Sequence, residues 1–116
     1  MIAGANIAVA AGALKLDPGW DKDEIQNGSP DGVALVDTQA ATLIDALSYE
    51  GSITAAEVPG IANPVSLVEG TVLSNTVTDL NTAPGSLCRS PNGKDTDNAN
   101  ADWKFCATIS PGSANP

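Results

Sequence analysis

The sequence contains no histidine, and this lack removes the side chain that most often acts as a general base in enzymes. It also has no Gly-x-Ser-x-Gly nucleophile motif and no glycine-rich phosphate-binding loop. Carboxylate pairs are able to hydrolyse sugars, but no pair stands out, and four aromatic residues leave little surface for stacking on a sugar ring. We therefore expect a protein that is not an enzyme.

Basic residues are also scarce: five Lys and Arg stand against fourteen Asp and Glu, and the formal net charge is −9. Nucleic-acid binding depends on Lys and Arg contacts with phosphates, so we expect no nucleic-acid partner. Binding to anionic lipid is disfavoured for the same reason. The acidic surface favours solubility, with cation binding as the alternative interpretation.

Long apolar runs are limited to the first sixteen residues, MIAGANIAVAAGALKL. This run lacks a basic start, is interrupted by Asn and Gly, and is too short to span a bilayer. We interpret it as a strand and a turn inside the domain, and we expect no membrane insertion.

The chain has 116 residues, which is enough for one domain. Only 3% of these residues are aromatic. The core must therefore consist of Val, Leu, Ile and Ala, which suits stacked sheets with small side chains between them. Gly and Pro mark turns about every ten residues, a spacing typical of an antiparallel sandwich or barrel. The predicted strands cover residues 32–37, 41–50, 52–58, 64–72, 85–90 and 102–110.

Three segments, PDGVALVD, LIDALSYEG and GSLCRSPNGKDTDNANADWKFCATISPGSANP, occur in an order that resembles the bacterial form of the lamin tail domain family. The matching motifs are Gly-Val-x-Leu at 32–35, the Asp-Ala-Leu-x-Tyr strand at 45–51, Ser-Leu-x-Arg at 86–89, Asp-Thr-Asp-Asn at 95–98, Asp-Trp at 102–103 and Pro-Gly-x-x-Asn at 111–115. The resemblance covers residues 30–116 of a single domain, 1–116. It implies an all-β fold, an immunoglobulin-like antiparallel β-sandwich.

One part of the family pattern has no counterpart here. Members usually begin with a strand carrying a Glu-Phe-x-Glu-type motif and a second strand ending near a Trp, and neither precedes Ile2. The sandwich is therefore expected to be incomplete, with an open sheet edge. Another copy of the chain or a separate segment would add a strand there, in a dimer or larger assembly whose contact includes residues near the N-terminus. Alternatively, residues 2–16 fold back into the gap.

The acidic loop after residue 94 is a candidate metal site. Asp95 and Asp97 alternate as in calcium loops, and Asp102 follows. However, residue 99 is Ala, and neither the expected Gly nor a Glu follows. We therefore expect side-chain hydrogen bonds to backbone N–H groups to hold the loop without an ion, with Ca²⁺ as the alternative.

Cys88 and Cys106 lie on the two predicted strands that flank this loop. A disulfide between them would stabilise the fold by about 3 kcal/mol. Two free thiols or a metal pair are the alternatives, although two Cys without His make a poor zinc site. The Cys pair and the acidic, Ser/Thr/Asn-rich composition favour an extracellular or cell-surface location. Trp20 and Trp103 are interpreted as core or rim anchors, with a ligand or interface role as the alternative.

The resemblance also implies a function, because lamin tail domains often accompany secreted nucleases, phosphatases or other hydrolases, or lie in surface proteins. We expect a non-catalytic interaction or adhesion module of an exported bacterial protein. The alternatives are a structural subunit of an extracellular assembly or filament formed by strand exchange, and a calcium-dependent binding module.

Overall fold

The computed structural model of this chain describes residues 8–19, 28–78 and 82–116. Within these ranges the regular secondary structure is mostly strand, with one short helix, which is compatible with an all-β fold. The elements are β1 (Asp31–Asp37), β2 (Thr42–Tyr49), β3 (Ser86–Arg89), α1 (Ala99–Asp102) and β4 (Trp103–Cys106). They form two small antiparallel sheets, β1 with β2 and β3 with β4. None of the helices in these ranges is long and apolar enough to cross a membrane.

The first sheet is the predicted hairpin around residues 38–41. Asp37 Oδ1 accepts hydrogen bonds from the backbone N–H groups of Gln39 at 2.8 Å and Ala40 at 3.0 Å, which closes the turn. Val33 lies opposite Leu47 in the register. The register shifts next to Leu35, where Ile44 is the extra residue on β2. The bulge therefore lies on β2, and β1 itself runs without interruption.

The second sheet joins strands that lie on either side of the acidic loop, also as predicted. Cys88 pairs with Lys104, and Arg89 pairs with Trp103. The chain between them contains the short helix α1, which the sequence analysis missed. Asn98 is the N-cap of this helix, and its side chain accepts a hydrogen bond from Ala101 N–H. The helix ends at Asp102, and β4 begins at Trp103 and ends at Cys106. This strand is therefore shorter than the one predicted over 102–110.

The buried core connects the two sheets. Leu47 and Tyr49 from β2 pack with Leu73 and with Ala99 of α1. Three half-buried residues pack against this cluster, namely Val77, Leu87 and Trp103. Because the cluster takes residues from both sheets and from the segment between them, it fixes the β1–β2 hairpin against β3, α1 and β4.

Residues 52–72 do not form the two predicted strands. They contain a single bridge, in which Ala56 and Val65 exchange backbone hydrogen bonds of 2.8 and 2.9 Å. Pro59 and Pro64 lack the N–H that a ladder needs, which explains why pairing does not extend into the connecting loop. The backbone carbonyls of Glu69 and Thr71 instead accept hydrogen bonds from the N–H groups of Ala99 and Asn100. Residues 69–71 thus lie alongside the start of α1.

The described part of the N-terminal segment lies against the C-terminal residues. Ala10 N–H donates to the carbonyl of Pro111 at 2.9 Å, and a Cβ on Gly112 would lie 2.7 Å from the Cβ of Ala13. Residues 8–19 do not belong to any of the four strands, so the strand expected over 1–16 is not found in its described part. Residues 1–7, Trp20 and the acidic residues 21–24 lie outside the described ranges.

Candidate functional site

Arg89 is the centre of the polar contacts between the two sheets. Its Nη2 donates to both carboxylate oxygens of Asp45 on β2, at 2.9 and 3.0 Å. Its Nη1 lies 2.9 Å from the carboxylate of Asp95 in the acidic loop. Its guanidinium also lies 5.2 Å from the ring centroid of Trp103, its register partner on β4. The guanidinium is thus held from three directions, and the side chain is only 13% exposed.

A third carboxylate, that of Glu69, stands 3.8 Å from Arg89 Nη2. Burial raises the pKa of Glu69, a hydrogen bond from Ala46 N–H lowers it, and the neighbouring Asp45 carboxylate raises it further. The net effect is a pKa above the ordinary value. Glu69 Oε2 is buried and, among the described residues, has no hydrogen-bond partner. Negative charge at Glu69 is therefore poorly accommodated beside Asp45.

The acidic loop is held by its own side chains. Asp95 Oδ1 accepts from Asp97 N–H at 3.2 Å, and Asn98 Oδ1 accepts from Ala101 N–H at 3.2 Å. Hydrogen bonding from Arg89 and from the Asp97 N–H lowers the pKa of Asp95. These side-chain-to-backbone bonds are the ones predicted for this loop.

Asp102 is the most deeply buried charged group among the described residues, at 1% exposure. Thr96 donates its backbone N–H at 2.7 Å and its hydroxyl at 2.9 Å to this carboxylate, and Lys94 Nζ lies 3.3 Å away. Burial alone would raise the pKa of Asp102, but these donors lower it to about 2. Asp102 therefore acts as a buried anchor for the loop.

Of the predicted metal-binding residues Asp95, Asp97 and Asp102, the first and the last have carboxylates in separate environments. The carboxylate of Asp95 faces Arg89, and that of Asp102 faces Thr96 and Lys94. Within residues 8–19, 28–78 and 82–116, no group of three or more His, Cys, Asp or Glu side chains is arranged to hold a metal ion. Among these residues, the three predicted metal-binding carboxylates are therefore not brought together into one group.

Cys88 and Cys106 form the predicted disulfide. Their Cα atoms are 6.0 Å apart, within the range that a disulfide spans without backbone movement. Both side chains are buried. Because Cys88 pairs with Lys104 and not with Cys106, the bridge links diagonal neighbours across β3 and β4. A disulfide indicates an oxidising environment.

Trp103 has two roles in the described structure. It packs against the core cluster, as an anchor should, and it also lines a surface groove. Trp20, the other predicted anchor, lies outside the described residues. Whether both tryptophans form one ligand platform is therefore outside the described residues.

The groove beside β1 is the feature that the sequence analysis missed. It has a volume of about 250 Å³ and a mostly apolar wall, lined by Val33, Ala34, Leu35, Asp45, Ala46, Leu47 and Trp103. The uncharged run GVALV between Asp31 and Asp37 was the available signal, but a pattern in one strand does not reveal which of its faces remains uncovered.

Comparison with protein-family models, with curated proteins and with solved structures found no match to this chain.

Proposed function

We propose that this chain is a non-catalytic β-sandwich module that docks an exported bacterial protein onto another protein. The observation that carries the proposal is the exposed apolar middle of β1 beside the Trp103 groove. Exposed apolar surface next to a strand edge is typical of protein–protein contact. The disulfide supports an extracellular or cell-surface location.

An immunoglobulin-like sandwich of the lamin-tail type is the architecture that we propose for this module. Its support is that residues of the separate sequence motifs contact one another. Arg89 binds Asp45 and Asp95 and lies against Trp103, while Asn115 Nδ2 donates to the Arg89 carbonyl at 3.0 Å.

Site-specific photo-crosslinking in the cells that express the protein tests the docking function. A photoreactive residue at Leu35 should crosslink to a distinct protein, because Leu35 is exposed in the groove wall. The same residue at Ile109, which is also exposed but does not line the groove, is the control. No crosslink above that control, or hydrolytic activity of the purified chain, would contradict the proposal.

A structural subunit that assembles by strand exchange is the second candidate, because a strand other than β1 from a second copy could pair with the β1 edge. Light scattering distinguishes the two candidates: a dimer or larger species at micromolar concentration favours assembly, and a monomer favours the docking module. Repeating the measurement with EDTA and with reductant tests calcium-dependent binding and the contribution of the disulfide.

A further inference from the structure

The middle of β1 is exposed on both sides. Val33 is 44% exposed and Leu35 is 56% exposed, and Ala34 between them is exposed as well. Because successive side chains point to opposite faces of a sheet, the exposure of all three means that neighbours cover neither face fully. Among the described residues, β2 is the only strand that pairs with β1. Within that part of the chain, the other edge of β1 is unpaired, so its backbone N–H and C=O groups are open to pairing.

The adjoining groove is suited to side chains of an added strand. Its volume of about 250 Å³ falls below the roughly 300–1,000 Å³ of ordinary small-molecule pockets. Its wall includes Val33 and Leu35, which share one face of β1 because they are two residues apart. A strand paired to β1 would place alternate side chains on this same face, where aliphatic groups would contact the apolar wall.

Charge at both ends of β1 restricts the identity of that strand. Asp31 and Asp37 end β1, and neither β1 nor β2 contains a Lys or Arg. The two acids lie six residues apart, or about 20 Å in an extended chain. A complementary segment would carry basic residues at that separation, since opposite charges across strands stabilise pairing.

The same charges disfavour a second copy of this chain. Two β1 strands paired antiparallel about Ala34 would set Asp31 opposite Asp37 at both ends. Like charges directly opposite each other destabilise a strand pair. Each copy also carries a net charge of −9, which adds long-range repulsion.

We propose that the free edge of β1 accepts, by strand addition, an extended segment of a partner protein that has aliphatic side chains at alternate positions and a Lys or Arg at each end, about six residues apart. This inference rests on the proposed docking function and specifies its partner. Because the end contacts are ion pairs of half-buried carboxylates at the protein surface, binding weakens with added salt.

Three synthetic peptides test the proposal with the full chain. Lys-Thr-Val-Thr-Val-Thr-Lys carries its Lys and Val side chains on one face. Glu-Thr-Val-Thr-Val-Thr-Glu reverses the end charges, and Lys-Thr-Val-Pro-Val-Thr-Lys keeps the charges but removes a central backbone N–H. We expect the first peptide to bind at least roughly tenfold more tightly than either of the others, with hydrogen-exchange protection at residues 33–35.

Two variants with equal charge changes locate the binding. Leu35→Lys should abolish binding of the first peptide, because it adds a like charge at the groove wall. Ile44→Lys changes the net charge equally at an exposed β2 residue that does not line the groove, and it should leave binding nearly unchanged. Thermal melting of both variants verifies that they are folded.

Several outcomes would overturn the proposal. Equal binding of the proline peptide would mean simple charge attraction, and a peptide-free dimer with residues 33–35 protected would mean that a second copy occupies the edge. Absence of peptide binding combined with a crosslink at Leu35 would reject this partner chemistry but leave the docking function standing. Absence of both would reject the docking function itself.

Discussion

At the residue scale, the buried carboxylate of Asp102 shows how a charge is accommodated in a small core. Its donors, among them the Thr96 backbone N–H and hydroxyl and the Lys94 ammonium, come from the same loop. The sequence identifies Asp102 as an acid within a turn-rich segment. Its burial was not predictable, because it lies at the end of α1, a helix that the sequence analysis missed and whose first residues bond to Glu69 and Thr71, far away in sequence.

The Thr96 hydroxyl is the donor that substitution tests most cleanly. Thr96→Val keeps the side-chain shape and removes the O–H, so we expect a melting temperature several degrees lower at pH 7. Thr96→Ser retains the donor and is the control. Because the pKa of Asp102 is lowered, its ionised carboxylate stabilises the folded state fully above the unfolded-state pKa near 4. This contribution is lost as the pH falls towards about 2. An equal loss in Val and Ser variants would point to packing as the cause.

For Glu69 we expect stability to depend on pH in the opposite direction, because its pKa is raised. A raised pKa means that Glu69 favours the folded state when it is protonated, and that this contribution is lost as the pH rises through its folded pKa. Glu69→Gln should therefore raise the melting temperature by a few degrees at pH 7, with no gain near pH 3. Melting curves over that pH range measure the difference. A variant that is less stable at pH 7 would show that the 3.8 Å contact with Arg89 outweighs the repulsion.

At the element scale, the strands with local turn chemistry were predictable. β1 and β2 flank a turn closed by Asp37, and β3 and β4 flank the Pro- and Gly-containing acidic loop. The strands predicted over 52–58 and 64–72 are wrong, since these segments form a single bridge. Pro59 and Pro64 have no backbone N–H to donate, so the hydrogen-bond ladder does not extend past them. One feature of the sequence could have predicted α1, namely the potential N-cap residue Asn98 followed by Ala99 and Ala101.

The disulfide contributes to stability at this scale. We expect the double variant Cys88→Ser and Cys106→Ser to lose about 3 kcal/mol of unfolding free energy, because the bridge closes a loop with a sequence separation of 18. Chemical denaturation measures the loss. Reductant should destabilise the native chain by a similar amount and leave the double variant unchanged. A much smaller loss would show that the denatured chain keeps this loop compact without the bridge.

At the scale of the whole molecule, long-range contacts decide how the two sheets meet. Arg89 binds Asp45 across 44 residues, and the core joins Leu47 to Leu73 and Ala99. The sequence alone does not show which acidic residue pairs with which basic residue, because the chain has fourteen Asp and Glu and only five Lys and Arg. The resemblance placed Asp45, Arg89 and Asp95 in separate motifs, and only the folded chain brings them to one guanidinium.

Replacing that guanidinium tests whether it holds the two sheets together. Arg89→Met should cost about 1–2 kcal/mol, between an exposed and a buried ion pair, because Arg89 is 13% exposed but Asp45 is 36% and Asp95 46% exposed. Lys104→Met, the same charge change at an exposed β4 residue, should cost less than about 0.5 kcal/mol. Arg89→Lys should fall between them, since one ammonium does not reproduce the two-nitrogen contact with separate carboxylates. Denaturation curves supply the three values. Equal costs for Arg89→Met and Lys104→Met would mean that the apolar core alone joins the sheets, and that the carboxylates around Arg89 relax into solvent once it is gone.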